Sequence, residues 1–240
     1  LYFTEYYADP ALELTLLTSA DYHVPANRAR VQQADWASPP TERPGTIAYD
    51  AQVLIQAMCH LVTGTDVRVH GHSRGGAGVI EAARRRPDLF ERAEIILEAP
   101  VLPQGKPYAE LSASIRWFLP FVLPFWQQQP ISPRNKGLWG PLDNPRKREL
   151  IMGLPFNARH CSTLMTNIRD IANWMATTTT EAYQPLKRGA ILVPENDKVL
   201  APASMLASAS QAENLQLITI PGGSHFVIPD NPHSIPPLSP

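Results

Sequence analysis

The sequence predicts an α/β domain: a mainly parallel sheet flanked by helices and interrupted by a helical insertion. Three observations carry this. Apolar, β-prone runs alternate with helical patterns, the signature of βα units. One Gly-x-Ser-x-Gly turn joins such a run to such a helix. Between Val101 and Arg188 no strand pattern occurs. The 240 residues, 44% hydrophobic and 18% charged, suit one large domain or a domain with an insertion, and exclude a disordered or fibrous chain.

In order along the chain, Leu12 to Leu17 is the first strand candidate, followed by a polar, proline-bearing loop through Pro44. Gly45 and Thr46 open a helix whose apolar residues Ile47, Ala51, Leu54, Met58 and Leu61 are spaced 4, 3, 4 and 3 apart, on one face. Val67 to His70 is a short strand with the helix Ala77 to Arg85 behind it. Glu94 to Leu97 is the next strand, ending at Glu98-Ala99-Pro100. In the insertion, Trp117 to Trp126 is an aromatic run split by Pro120 and Pro124, and Leu164, Ile168, Ile171 and Met175 repeat at helical spacing. Ala190 to Val193 and Leu215 to Ile220 are the last strands, and the proline-rich end from Pro229 reads as an irregular tail. The expected organisation is a core of residues 1–100 and 189–240 with an insertion of 101–188.

Charge and composition exclude several roles. With 21 Lys+Arg against 22 Asp+Glu, the chain lacks the basic excess of a nucleic-acid binder, and Arg84-Arg85-Arg86 reads as a solvated helix end. Cys59 and Cys161 sit among apolar residues and read as reduced core thiols. A bilayer span needs about 20 apolar residues, more than Trp117 to Trp126 provides. No signal peptide opens the chain at Leu1, so the expected location is cytoplasmic.

The chemistry concentrates in Val67-Arg68-Val69-His70-Gly71-His72-Ser73-Arg74-Gly75-Gly76. A sharp strand-to-helix turn lifts the Ser73 hydroxyl clear of the sheet at the positive end of the following helix, with Gly71 and Gly75 expected where side chains would clash. A serine needs a base and an orienting carboxylate. Of the seven histidines, His225 lies in the Gly222-Gly223-Ser224-His225-Phe226 loop directly after the last strand. His23, His60, His160 and His233 lack such a placement. His70 and His72 flank the turn, but a metal site there has no third ligand in the sequence. For the acid, Asp197 follows the strand Ile191-Leu192-Val193, at the carboxyl edge where a parallel sheet gathers its ligands. Glu195 and Glu98 are its rivals.

The order Ser73, Asp197, His225, each just past a strand, resembles the α/β-hydrolase superfamily over nearly the whole chain. The Gly-His-Ser-Arg-Gly-Gly turn, the Glu-Asn-Asp loop and the Gly-Gly-Ser-His-Phe loop look like those of its lipases and esterases. The resemblance implies a nucleophile elbow at Ser73, an oxyanion donor in the Arg74 backbone N–H beside His72, and a helical cap at 101–188. It implies no cofactor and no metal. One departure stands out, because the family's early strands and oxyanion loop are not evident upstream of the elbow. Either they precede residue 1, with Leu12 to Leu17 the fourth strand, or Leu12 to Thr18 and Arg28 to Asp35 are the third and fourth strands, with Ser19 to His23 as the loop. The first account predicts a gap beside the elbow strand.

The implied reaction is ester hydrolysis through an acyl-enzyme. Trp117, Phe121 and Phe125, if they line the site, favour a lipophilic acyl or aryl ester over a charged peptide or sugar. Such a small-molecule substrate includes one met by transient contact with a lipid surface. A non-catalytic ligand receptor on the same scaffold, and a thioesterase, amidase or carbon–carbon hydrolase on the same triad, are the alternatives. The oligomeric state is not legible.

Overall fold

The computed structural model describes residues 2–17, 38–109, 118, 139–145, 147–148 and 161–238. Its centre is a four-stranded, all-parallel sheet of β1 (Arg68–His72), β2 (Glu94–Glu98), β3 (Gly189–Pro194) and β4 (Gln216–Ile220), in that spatial order. The helices whose full extent lies among the described residues are α1 (Tyr2–Tyr6), α2 (Ile47–His60), α3 (Arg74–Arg85), α4 (Pro87–Phe90), α5 (Cys161–Thr177), α6 (Pro202–Ala209) and α7 (Val227–Asp230).

Alternation along the strands sends successive side chains to opposite faces. Val69, Ile95, Leu97, Ile191 and Val193 meet Ile47 and Ala51 of α2, Val79 and Ile80 of α3, and Met205 of α6. Ile96, Ala190 and Leu192 face the other way, against Phe3, Tyr6, Val227, Ile228 and Ile235. Both faces are therefore covered, as a parallel sheet requires. On α2, Thr46 caps the helix by accepting the Tyr49 N–H at 3.1 Å, and Asp170 of α5 accepts the Ile47 N–H at 2.6 Å. That second bond ties the helix before the elbow to α5. Val101, Leu102, Trp174, Met175, Tyr183 and Leu186, from either end of 101–188, share one apolar cluster with the sheet.

Three expectations need correction. Leu12 to Leu17 is not a strand: it makes no sheet pairing among the described residues, and Leu14, Leu16 and Leu17 are 40%, 50% and 46% exposed. A strand is stabilised by its neighbours rather than by leucine's own preference, and among the described residues no strand lies beside it. Arg28 to Asp35 and Ser19 to His23 lie outside the described residues, and on the side of β1 away from β2 those described contain no strand. Cys59 is exposed, because it sits in the last turn of α2 one position past Met58 and off the buried stripe; the Cys161 side chain is outside the described set. The tail is more ordered than its prolines suggest. Ile235 is buried, and Arg68 donates to Pro236 O at 2.7 Å and Pro237 O at 2.5 Å. The arginine run does end a helix, but Arg84 and Arg85 pair with Glu81 and Arg86 with Asp88.

The elbow's steric demand also falls differently from expectation. A Cβ on Gly71 would lie 2.7 Å from Gly75 O, so that glycine is required. A Cβ on Gly75 would meet nothing within 4 Å, whereas one on Gly76 would lie 2.5 Å from Pro100 Cβ. The close approach of α3 to the chain after β2 thus rests on Gly76. Gly76→Ala should cost about 1–3 kcal/mol by overpacking, and Gly75→Ala should leave stability within about 1 kcal/mol of the parent. Denaturant unfolding checks this; equal losses in the two variants would contradict it.

Candidate active site

Ser73 stands between β1 and α3 with φ 53° and ψ −120°, a backbone conformation that costs a non-glycine residue of order 1–3 kcal/mol. Three backbone bonds hold it there. Its N–H donates to Glu98 O at 2.9 Å, and its carbonyl accepts from Gly76 N at 3.0 Å and Val101 N at 2.9 Å. The ends of β1 and β2 together impose the turn.

Asp197 sits in the loop after β3, which is fastened to the histidine loop by Asn196 N to Gly223 O at 2.9 Å. Its carboxylate is fully buried. Oδ1 accepts the Val199 and Leu200 N–H groups at 2.7 and 2.9 Å, leaving Oδ2 for His225 Nδ1 at 2.7 Å. A carboxylate only accepts, so Nδ1 carries the proton, and Nε2 accepts the Ser73 hydroxyl at 2.9 Å. The structure thus joins Ser73, His225 and Asp197 in one hydrogen-bonded chain.

The rival carboxylates lie elsewhere. Glu195 is exposed and accepts the Gly222 N–H at 3.3 Å. Glu98 is buried beneath the site, accepting the Ile228 N–H at 2.9 Å. Its Oε2 is 3.2 Å from His70 Nε2, at ion-pair distance though off hydrogen-bond alignment. Burial pushes the Glu98 carboxyl up, but His72, His70 and the Ile228 N–H outweigh it and hold it below the usual range. His70 Nδ1 in turn meets Tyr7 OH at 2.8 Å, a phenol that burial, against the opposing pull of Arg68, pushes up to about 12. Neither elbow histidine is directed at a shared metal position. His72, expected beside the oxyanion donor, donates Nε2–H to His225 O at 3.0 Å and stacks beside Phe226. Burial holds its pKa down despite Glu98, so the neutral ring is favoured.

Arg74 is the first residue of α3, and its guanidinium is folded back to Asp50 of α2 at 3.0 Å. Trp117, Phe121 and Phe125 lie outside the described residues; Phe118, the one described member of that run, is 55% exposed. His23 and His160 are also outside, and His60 and His233 stand on α2 and in the tail.

Sequence reasoning missed a buried polar cluster packed against the histidine loop. Lys147, Ser224 and Asp230 bond one another there, and Trp139 and Phe226 lie 5.9 Å apart beside them. Burial pushes the Lys147 ammonium down while Asp230 opposes it. Ser224 and Asp230 were within reach of sequence reading, since both flank His225, but nothing in the polar stretch around Lys147 sets it apart from a surface lysine.

Fold and site together define an α/β protein whose strand-to-helix turn at Ser73 begins a serine–histidine–aspartate hydrogen-bonded chain along the carboxyl edge of a parallel sheet. The model of the alpha/beta hydrolase family matches residues 5–235, and the chain belongs to that family. Solved structures of similar fold include a 2-hydroxy-6-oxo-6-phenylhexa-2,4-dienoate hydrolase from Rhodococcus sp. strain RHA1, at 14% identity over 81% of this chain and 71% of that one, with TM-score 0.58. A bromoperoxidase from Bacillus anthracis has 15% identity, coverage of 82% and 73%, and TM-score 0.57. A thermophilic esterase from Thermogutta terrifontis has 19% identity, coverage of 78% and 68%, and TM-score 0.54. No curated protein matches the sequence significantly. Among the described residues, no helix is long and apolar enough to cross a membrane.

The lowered His72 pKa makes a pH prediction. The unfolded state takes up that proton first, so stability falls as pH drops below about 6.5. His72→Gln keeps a donor for His225 O but cannot titrate. Its unfolding free energy should fall less between pH 7 and pH 5 than the parent's; parallel curves would contradict the assignment.

Proposed function

We propose that this chain is a serine hydrolase that cleaves carboxylic esters through an acyl-enzyme. The observation that supports it most is the hydrogen-bonded chain from Ser73 Oγ through His225 to the buried Asp197. In this reading Ser73 Oγ attacks the ester carbonyl while His225 Nε2 takes its proton. Asp197 keeps Nδ1 protonated and stabilises the imidazolium. The oxyanion is received by the Arg74 backbone N–H at the start of α3. Collapse breaks the bond to the alcohol, which leaves with the proton from His225. Water, deprotonated by His225, then releases the carboxylic acid and restores the serine. The protein groups suffice for each step, so the reading needs no cofactor.

The substrate class follows from the insertion, read as a helical cap. The aromatic residues of the Trp117 to Trp126 run favour a lipophilic acyl or aryl group.

Release of p-nitrophenol from short acyl esters tests this. Ser73→Ala should reduce kcat/KM by at least about 10³-fold, and Asp197→Asn by roughly 10⁴-fold through the wrong histidine tautomer. Ester cleavage that survives Ser73→Ala would remove the nucleophile from the account. Faster turnover of an amide or a diketone than of any ester would move the chain to another reaction on the same triad.

A further inference from the structure

Lys147 is 0% exposed, in a stretch of the insertion that has no part in the chemistry above. Its three ammonium protons have three acceptors: Asp230 Oδ1 and Oδ2 at 2.8 and 2.7 Å, and Ser224 Oγ at 3.2 Å. Ser224 Oγ gives its own proton to Asp230 Oδ2 at 2.5 Å and accepts the Phe226 N–H at 3.2 Å. Ser224 and Phe226 are the two chain neighbours of His225. The same stretch grips this loop at two further points. Asn144 Nδ2 donates to Pro229 O at 3.1 Å, and Gly140, at φ +70°, packs so closely that a Cβ would lie 2.3 Å from Ser224 Cβ.

A buried ammonium is costly unless fully bonded, and an apolar side chain of similar length would fill the same space without that cost. What the ammonium adds is direction, because it fixes Ser224 Oγ and Asp230 relative to each other. Catalytic geometry tolerates only about 0.5 Å of displacement. His225 must meet Asp197 and Ser73 at once, on a loop that carries two glycines just before it.

We propose that Lys147, acting through Ser224 and Asp230, is a positioning residue for His225, so that the insertion braces the loop that carries the general base. The proposal rests on the serine-hydrolase reading for its kinetic consequence but not for its structural one.

The test uses the full chain carrying Ser224→Ala or Lys147→Met, with the exposed Arg148→Met as control. Two quantities are read: ester turnover, and the low-field proton NMR resonance of His225 Nδ1–H, identified by its loss in Asp197→Asn. Ser224→Ala keeps the Lys147–Asp230 pair and decides the matter if Lys147→Met does not fold. The expected result is kcat lower by about 10- to 100-fold, KM within twofold, and an Nδ1–H resonance that shifts or broadens, with the control unchanged. An Nδ1–H resonance unaltered in Ser224→Ala overturns the proposal whatever the rate does, as does an equal change in the control. A parent chain that shows this resonance but cleaves no ester defeats the hydrolase reading alone, and the resonance in the variants then decides the positioning role.

Discussion

Much of this structure depends on one strained residue. At Ser73 the chain must leave β1 and enter α3 within a single residue, and it does so in a conformation that a non-glycine side chain resists. The strain persists because β1 and β2 run parallel and end in register, His72 opposite Glu98. That register puts Glu98 O under the Ser73 N–H and the Val101 N–H against the Ser73 carbonyl. Gly76 lets α3 come close enough to Pro100 for these bonds to form. Remove the register or the glycine, and the hydroxyl no longer points at His225.

Beneath the elbow lies a layer of buried polar groups that organises the histidine loop. Glu98, the last residue of β2, reaches across to the Ile228 N–H of α7, while His72 reaches from β1 to the carbonyl of His225. Each bond ties the two strands that end at Ser73 to the loop that carries His225. Tyr7, just past α1, extends the layer outward through His70. Buried groups of this kind are costly when unpaired and directional when paired, so they specify one arrangement of the loops as well as stabilising it.

The fold and the elbow were legible in the sequence because both depend on short-range pattern. The strands from Val67 onward, the spacing of Ile47, Ala51, Leu54 and Met58, and the Gly-His-Ser-Arg-Gly-Gly turn are each local signals. Leu12 to Leu17 misled because an alternating apolar run says nothing about whether a neighbouring strand exists to receive it. Gly75 misled in a related way, since the motif names the glycine two residues past the serine while the packing that matters falls on Gly76. Cys59 was misread from composition, its angular place on α2 being one residue off the buried stripe. Lys147 could not be found at all. Its partner Asp230 is 83 residues away, and the pairing exists only once Lys147 has packed against the histidine loop.

The central claim is that Ser73 is a nucleophile activated by His225 and Asp197. Its most direct test is stoichiometric labelling with a p-nitrophenyl alkylphosphonate, followed by intact mass and peptide mapping. The account predicts one adduct per chain, on Ser73, with labelling slowed at least about 10³-fold in His225→Ala. Labelling of another residue, or an equal rate in His225→Ala, would contradict it.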